Sequence, residues 1–329
     1  MAGYNTIRGL RVKYLSSDPA GAEQGQVWYN STTGNLRVEG LIPGAWSSGG
    51  VLGTARYDIS GTGATQSAYV VAGGYSPSFS NLTEKYNGTS WSASNTMPAA
   101  VYAGAMFGTQ TAAVYASGKT SPALTSTTSE YGGTSWTAGG AVTTARQQIA
   151  AQCGGTLTAG IIFGGYLGPP GGSAATEEYD GTSWTAQSGA LNLARWNGMG
   201  TGTQTAAVMS GSDDPATSNV EEWNGTSWSE VNNMPLVRYK GMVAGNSQTD
   251  YNVIGGNTNP GAALSTTVIN YDGTNWSSVP SIATARNTGA GSSQNATSQG
   301  IIAGGAAAPA SNATEEFTQG NVTKTFTTS

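Results

Sequence analysis

The chain has 329 residues, enough for two ordinary domains or one large repeat array. With 37% hydrophobic residues, only 9% charged residues and 49 glycines, it has neither the charge excess of a disordered segment nor a long apolar stripe at helical period, and it reads as short strands and tight turns. A net charge of −5 without a basic run argues against nucleic acid, no apolar run approaches a membrane span, and the absence of His beside a lone Cys153 removes the commonest metal ligand, the commonest general base and any internal disulfide.

In chain order, Met1-Ala2-Gly3-Tyr4-Asn5 lacks the basic-then-apolar pattern of a signal peptide, so the protein is expected to stay where it is made or to leave by a route that needs no signal. Residues 1–45 stand outside the repeat that fills the rest of the chain and, with Arg8, Arg11, Lys13 and Arg37, are the most basic part of it. Gly25-Gln26-Val27-Trp28-Tyr29-Asn30 and Asn35-Leu36-Arg37-Val38 flank Ser31-Thr32-Thr33-Gly34, which predicts a hairpin. Over residues 7–46 this pattern resembles the segments that head tail-fibre and other virion proteins of tailed bacteriophages, marine and cyanophage types especially. The resemblance implies docking onto a particle, with Arg8, Arg11, Lys13, Trp28 and Tyr29 as candidate docking residues. The plainer alternative is an extra hairpin packed on the repeat domain.

From Trp46 onward one unit recurs. Tyr86-Asn87-Gly88-Thr89-Ser90-Trp91 returns at Tyr131–Trp136, Tyr179–Trp184, Trp223–Trp228 and Tyr271–Trp276, and a copy beginning Glu315-Glu316-Phe317 lacks the tryptophan. Asn-Gly or Asp-Gly between short runs predicts a hairpin through a type I′ turn with φ > 0 at both central residues. With a loop of two residues or of four, the first aromatic and the Trp share one face. Trp46, Trp91, Trp136, Trp184, Trp228 and Trp276 are 44 to 48 residues apart. About ten residues after a Trp comes Arg56, Arg146, Arg195, Arg238 or Arg286; the second repeat has Val101-Tyr102 there instead. A small-residue run comes next, ending in Gly73-Gly74, Gly164-Gly165, Gly255-Gly256 or Gly304-Gly305, with degenerate versions at Gly118 and Gly211, and then a variable loop carrying Pro77, Pro122, Pro169, Pro215, Pro260 or Pro309.

A period of about 45 residues with four strand signals predicts a β-propeller blade. The order Arg, Gly-Gly, Tyr, Trp resembles the kelch motif from Trp46 to about Phe317, but the His that often follows the Arg in kelch repeats is absent. The expected fold is therefore all-β: a six-bladed kelch-like β-propeller over residues 46–320, a small N-terminal β-hairpin segment over 1–45, and a tail over 321–329. Either Trp46 and its neighbours or the tail Val322-Thr323-Lys324-Thr325-Phe326 would complete the last blade and remove an open sheet edge.

The Gly-Gly pairs are read as sites of close backbone approach or φ > 0, the arginines as donors to carbonyls of the next blade, and the Tyr–Trp pairs as packing between blades. Glu177-Glu178, Glu221-Glu222 and Glu315-Glu316 are adjacent on strands, point to opposite faces and are expected to be solvated. Asp213-Asp214 supplies too few oxygens for calcium. An aromatic residue follows the Arg position at Tyr57, Tyr102, Trp196 and Tyr239, on the side of the propeller where the variable loops also open; these four are the candidate residues for a glycan or partner protein, with packing inside the ring as the alternative. No cofactor or metal is expected.

Three functions remain in view. The first is a phage virion structural protein, on a tail fibre, elsewhere on the tail or decorating the capsid. It would be present as a homo-oligomer or in many copies, would contact other virion proteins and would face a host-surface glycan or receptor. The second is a bacterial surface or secreted adhesion propeller. The third is a polysaccharide-active enzyme; it is disfavoured because kelch-like copper oxidases need a His and a Tyr–Cys crosslink, and because Asp180-Gly181-Thr182-Ser183-Trp184 lacks one residue of the sialidase Asp box it resembles.

Overall fold

The computed structural model describes residues 12–22, 25–41, 44–150, 154–169, 171–259, 261–292, 294, 296–306 and 309–325. Arg8, Arg11, Cys153, Pro260 and Phe326 lie outside them. Contacts divide the chain into two compact units, residues 46–318 on the one hand and 1–45 with 319–329 on the other.

The smaller unit is built on one sheet with the order Lys13–Leu15, Val27–Asn30, Asn35–Leu41, Asn321–Thr325. The expected hairpin is present, with Asn30 opposite Asn35 across Ser31–Gly34. Lys13–Leu15 pairs in parallel with Val27–Asn30, and Asn321–Thr325 runs antiparallel to Asn35–Leu41. Asp18 organises this unit. Its carboxylate accepts hydrogen bonds from Trp28 Nε1 at 2.9 Å and Asn30 Nδ2 at 2.8 Å, and it forms an ion pair with Arg37. These donors hold its pKa below the ordinary carboxylate value.

Residues 46–318 form an all-β, propeller-like array of small antiparallel sheets. The first sheet is a meander of Ser60–Thr65, Ala68–Ala72, Thr83–Tyr86 and Trp91–Ser94. Four-stranded meanders of the same order follow over residues 105–139, 155–186, 199–231 and 242–279. The sixth sheet joins Ile301–Ala303, Thr314–Thr318 and Ala45–Ser48, so its last strand comes from the start of the chain. The place of a first strand is taken by Ala290, which exchanges two 2.9 Å backbone hydrogen bonds with Ala303. The C-terminal strand belongs to the smaller unit's sheet, which separates the two candidates for that last strand.

Burial falls along each meander. The first two strands are buried on both faces, as at Val70, Val71 and Ala72, whereas the fourth is largely exposed. Small residues crowd the first strand because backbones meet there: a Cβ on Gly63 would lie 2.3 Å from the Ala68 carbonyl oxygen. The third and fourth strands form the aromatic hairpin, with Tyr86 opposite Trp91 and the two rings 4.9 Å apart. Its loop is four residues long and is held by Asn87 Oδ1, which accepts from the amides of Thr89 and Ser90, both at 2.9 Å. Only Gly88, at φ 91°, is left-handed in that loop. The type I′ expectation thus gives way to a longer turn capped by the Asn or Asp side chain.

Consecutive sheets are tied by repeated polar bonds. The indole of Trp136 donates to Thr83 Oγ1, that of Trp184 to Thr128 Oγ1 and that of Trp228 to Thr176 Oγ1, at 2.8 to 2.9 Å. Trp91 makes the same bond, at 2.9 Å, to Thr314 of the sixth sheet. Gln110 Nε2 of the second sheet donates to the Tyr69 and Tyr86 carbonyls of the first; Gln66 of the first donates likewise to Gly300 and Phe317 of the sixth.

The arginines and glutamates depart from expectation together. Arg56, Arg146, Arg195 and Arg286 are fully buried and pair with Glu84, Glu177, Glu221 and Glu315 of their own sheets. The first glutamate of each pair is therefore buried rather than solvated. Arg56, Arg195 and Arg286 also donate to carbonyls of their own repeat, as from Arg56 Nη1 to Gly73 at 2.7 Å, where carbonyls of the next repeat were expected. A guanidinium taken out of water needs a charge partner more than it needs another carbonyl. Where the second repeat has Val101 in place of Arg, it has Ser129 in place of Glu, so the pair is lost as a unit. Either Arg56→Met or Glu84→Gln should destabilise the protein by about 3–5 kcal/mol in urea denaturation, because each strands a buried charge. Arg56→Val with Glu84→Ser, the second repeat's solution, should cost less than either single change; a cost near the sum of the two would contradict this reading.

Candidate functional site

Six residues, one per repeat, occupy the position just before the first strand and carry positive φ: Asp58, Ala103, Gln148, Asn197, Lys240 and Thr288, with φ from 47° to 57°. Such conformations are costly for non-glycine residues and persist where surrounding bonds hold them. Here five of the six amides donate to the equivalent carbonyl of the preceding repeat: Ala103 to Asp58, Gln148 to Ala103, Asn197 to Gln148, Lys240 to Asn197 and Thr288 to Lys240, at 2.7 to 3.1 Å. All six line one pocket of about 60 Å³ where the repeats converge.

Among the described residues Asp58 is the only carboxylate lining that pocket and Lys240 the only ammonium. Desolvation pushes the Asp58 pKa up to about 6, with the charge of Lys240 acting against it. Lys240 is also shared with Asp213, whose carboxylate lies 3.5 Å from its Nζ and accepts from Asn197 Nδ2 at 3.1 Å.

The aromatic residues that precede these six positions divide into three situations. Tyr57 and Tyr102 join a cluster with Tyr75 and Phe79. Ring centroids are 5.3 Å apart for Tyr57–Tyr75, 5.8 Å for Tyr75–Phe79, 6.2 Å for Tyr75–Tyr102 and 4.8 Å for Phe79–Tyr102. Backbone bridges position them: Tyr57 and Tyr75 exchange hydrogen bonds of 3.2 and 2.8 Å. All four rings are half-buried. Trp196 packs at 4.9 Å on Tyr166, which repeats the relation of Tyr102 to Tyr75: the aromatic entering one repeat covers the residue after Gly-Gly in the repeat before. Tyr239, in contrast, is only 8% exposed, with the Lys240 ammonium 5.8 Å from its ring centroid, and presents little surface. Burial, followed by the charge of Asp58, raises the pKa of Tyr57 and Tyr102.

Tyr75 and Phe79 also line a groove of about 580 Å³ between the loops of the first and second repeats, with Pro77, Ala99, Ala100 and Thr120 on its walls. Such a volume suits a sugar residue or a short side chain. Tyr75, Phe79 and Tyr166 were not among the sequence candidates, although Gly74-Tyr75 and Gly165-Tyr166 carry a visible signal, an aromatic directly after the glycine pair. Of the docking candidates in the smaller unit, Lys13 is exposed, Tyr29 is half-buried and stacks at 4.9 Å on the exposed Tyr14, and Trp28 is fully buried and serves that unit's core.

No protein-family model matches the chain, and no curated protein matches it.

The raised Asp58 pKa sets a pH dependence. Between about pH 4 and 6 the folded protein keeps a proton that the unfolded chain has released, so stability contributed at this site falls as pH rises through that window and stays low above it. Asp58→Asn should stabilise the protein at pH 7 by up to about 3 kcal/mol and flatten that part of the profile. Thermal melts at pH 4, 5, 6 and 7 check this; an unchanged slope would contradict it.

Proposed function

We propose that the five four-stranded meanders and the sheet of Ile301–Ala303, Thr314–Thr318 and Ala45–Ser48 are the six blades of a closed, kelch-like propeller within a phage virion structural protein, and that the face carrying Tyr57, Tyr75, Phe79 and Tyr102 binds a host-surface glycan. The observation that carries the binding reading is the aromatic cluster itself. Four half-buried rings from two adjacent repeats pack into one cluster, two of them, Tyr75 and Phe79, line a groove, and all stand on loops that the sheets hold in place. Flat apolar rings beside hydroxyls and amides match the alternating apolar and polar faces of a sugar.

Ring closure is supported by the bonds from the first sheet to the sixth, which are of the same kinds as those between neighbours. The ring reading also gives the pocket of the six left-handed residues a place, at the axis where the blades meet. A binding role is favoured over a catalytic one because that pocket carries a single carboxylate among the described residues, whereas glycoside hydrolysis ordinarily uses two. The virion reading rests on the N-terminal segment's resemblance to phage virion proteins. It is supported by the separate small unit in which Lys13–Leu15, Val27–Asn30, Asn35–Leu41 and Asn321–Thr325 share one sheet, an element suited to attachment. Its partners would be other virion proteins, and it would be present in several copies per particle.

Phe79→Ala with Tyr102→Ala tests the binding face. On an array of bacterial surface glycans the parent protein should give a saturable signal, and the double variant should lose affinity by about fivefold or more, the usual cost of removing anchoring aromatics. Circular dichroism should show the fold retained. Equal binding by a folded double variant would refute the site. Absence of the protein from purified particles would refute the virion assignment and leave an adhesion propeller.

A further inference from the structure

The fifth repeat keeps its buried arginine and has lost everything that neutralises it elsewhere. Arg238 is 3% exposed and has no ion pair among the described residues. The position of Glu84, Glu177, Glu221 and Glu315 is filled by Ile269, two residues before the hairpin aromatic Tyr271.

The loss extends to the glutamate's second partner. In the intact repeats the other carboxylate oxygen accepts a backbone amide three residues before the arginine, from Gly53, Thr143, Asn192 or Ala283, each at 2.7 Å. The equivalent residue in the fifth repeat is Pro235, which has no amide hydrogen. The second repeat also has a proline there, Pro98, but it has discarded its arginine as well. The fifth repeat is thus a cationic site from which glutamate and amide were removed and the guanidinium retained.

The space is open. A pocket of about 290 Å³ is lined by Arg238, Pro235, Leu236, Thr267, Ile269 and Val279, among others. Arg238 Nη1 donates to the Thr267 carbonyl at 2.9 Å, the counterpart of the bond Arg286 makes to Ala313. Nη2, which in the intact repeats holds the carboxylate, reaches, among the described residues, only the hydroxyl of Thr267. Thr267 is exposed, so the pocket communicates with solvent.

We propose that this pocket binds a small aliphatic carboxylate, whose oxygens take the position of the missing glutamate against Arg238 Nη2 and the Thr267 hydroxyl. The apolar walls supplied by Leu236, Ile269 and Val279 hold its alkyl part. An arginine fork and a hydroxyl favour a planar carboxylate over a spherical or tetrahedral anion.

The test is titration of the full chain with acetate, propionate and butyrate, read by NMR of the arginine Nε–H resonances and by calorimetry, with chloride and sulfate as controls. The expected result is a saturable shift confined to one arginine, with affinity rising roughly threefold per methylene. Ile269→Glu combined with Pro235→Ala restores both missing groups; it should abolish the shift while raising Tm. Thr267→Val should weaken binding by about tenfold. No saturable shift, equal shifts with sulfate, or undiminished binding in a folded Ile269→Glu, Pro235→Ala variant would each overturn the proposal.

Discussion

The second glycine of each Gly-Gly pair, and Gly118 of the degenerate pair Ser117-Gly118, donate their amides to a carbonyl of another repeat, and the rest of the architecture depends on that bond. Gly74 donates to Val101, Gly118 to Arg146, Gly165 to Arg195, Gly256 to Arg286 and Gly305 to Arg56, at 2.7 to 3.0 Å. The donor sits at positive φ, from 84° to 111°, where a side chain is strained and where the backbones are too close to admit one. A single sheet of this protein therefore cannot satisfy its own buried polar groups. Its neighbour completes it, which is why a four-stranded meander too small to be stable alone becomes stable in an array.

The same logic governs the charges. In four repeats a guanidinium buried beneath the sheet lies just before the first strand and is offset by a carboxylate of the same sheet. The second repeat dispenses with both groups. The fifth keeps the cation and leaves a pocket where the anion belongs. Variation among repeats is thus paired variation, and an unpaired survivor such as Arg238 stands out by comparison with its internal copies rather than with other proteins.

Much of this was legible in the sequence. The 44-to-48-residue period, the Tyr–Trp hairpins and the glycine pairs specify small meandering sheets, since each is a local signal of strand and turn. The partners of the charges were not legible. Adjacent glutamates on a strand do point to opposite faces, but which of the two is buried depends on an arginine about 30 residues away in sequence, and spacing alone does not reveal that it folds onto the third strand of its own sheet. The turn was misjudged for a related reason: Asn-Gly fits two loop geometries, and the side-chain oxygen of Asn87 selects the longer. Of the candidate aromatics, Tyr57 and Tyr102 fall into one cluster, whereas Tyr239 is buried. Their difference lies in the neighbour that the preceding repeat provides: Tyr75 stands beside Tyr102, but Asp213 comes before Tyr239. That is a contact between repeats, invisible within one.

The central claim is that the repeats close on themselves, and the amide of Gly305 tests it most directly. Its acceptor, the Arg56 carbonyl, lies at the opposite end of the repeat array. In a closed ring, hydrogen exchange monitored by NMR should find the Gly305 amide protected to the same degree as its counterparts Gly74, Gly118, Gly165 and Gly256. If Gly305 exchanges at the rate of an unprotected amide while the other four stay protected, the array is open and the account is wrong.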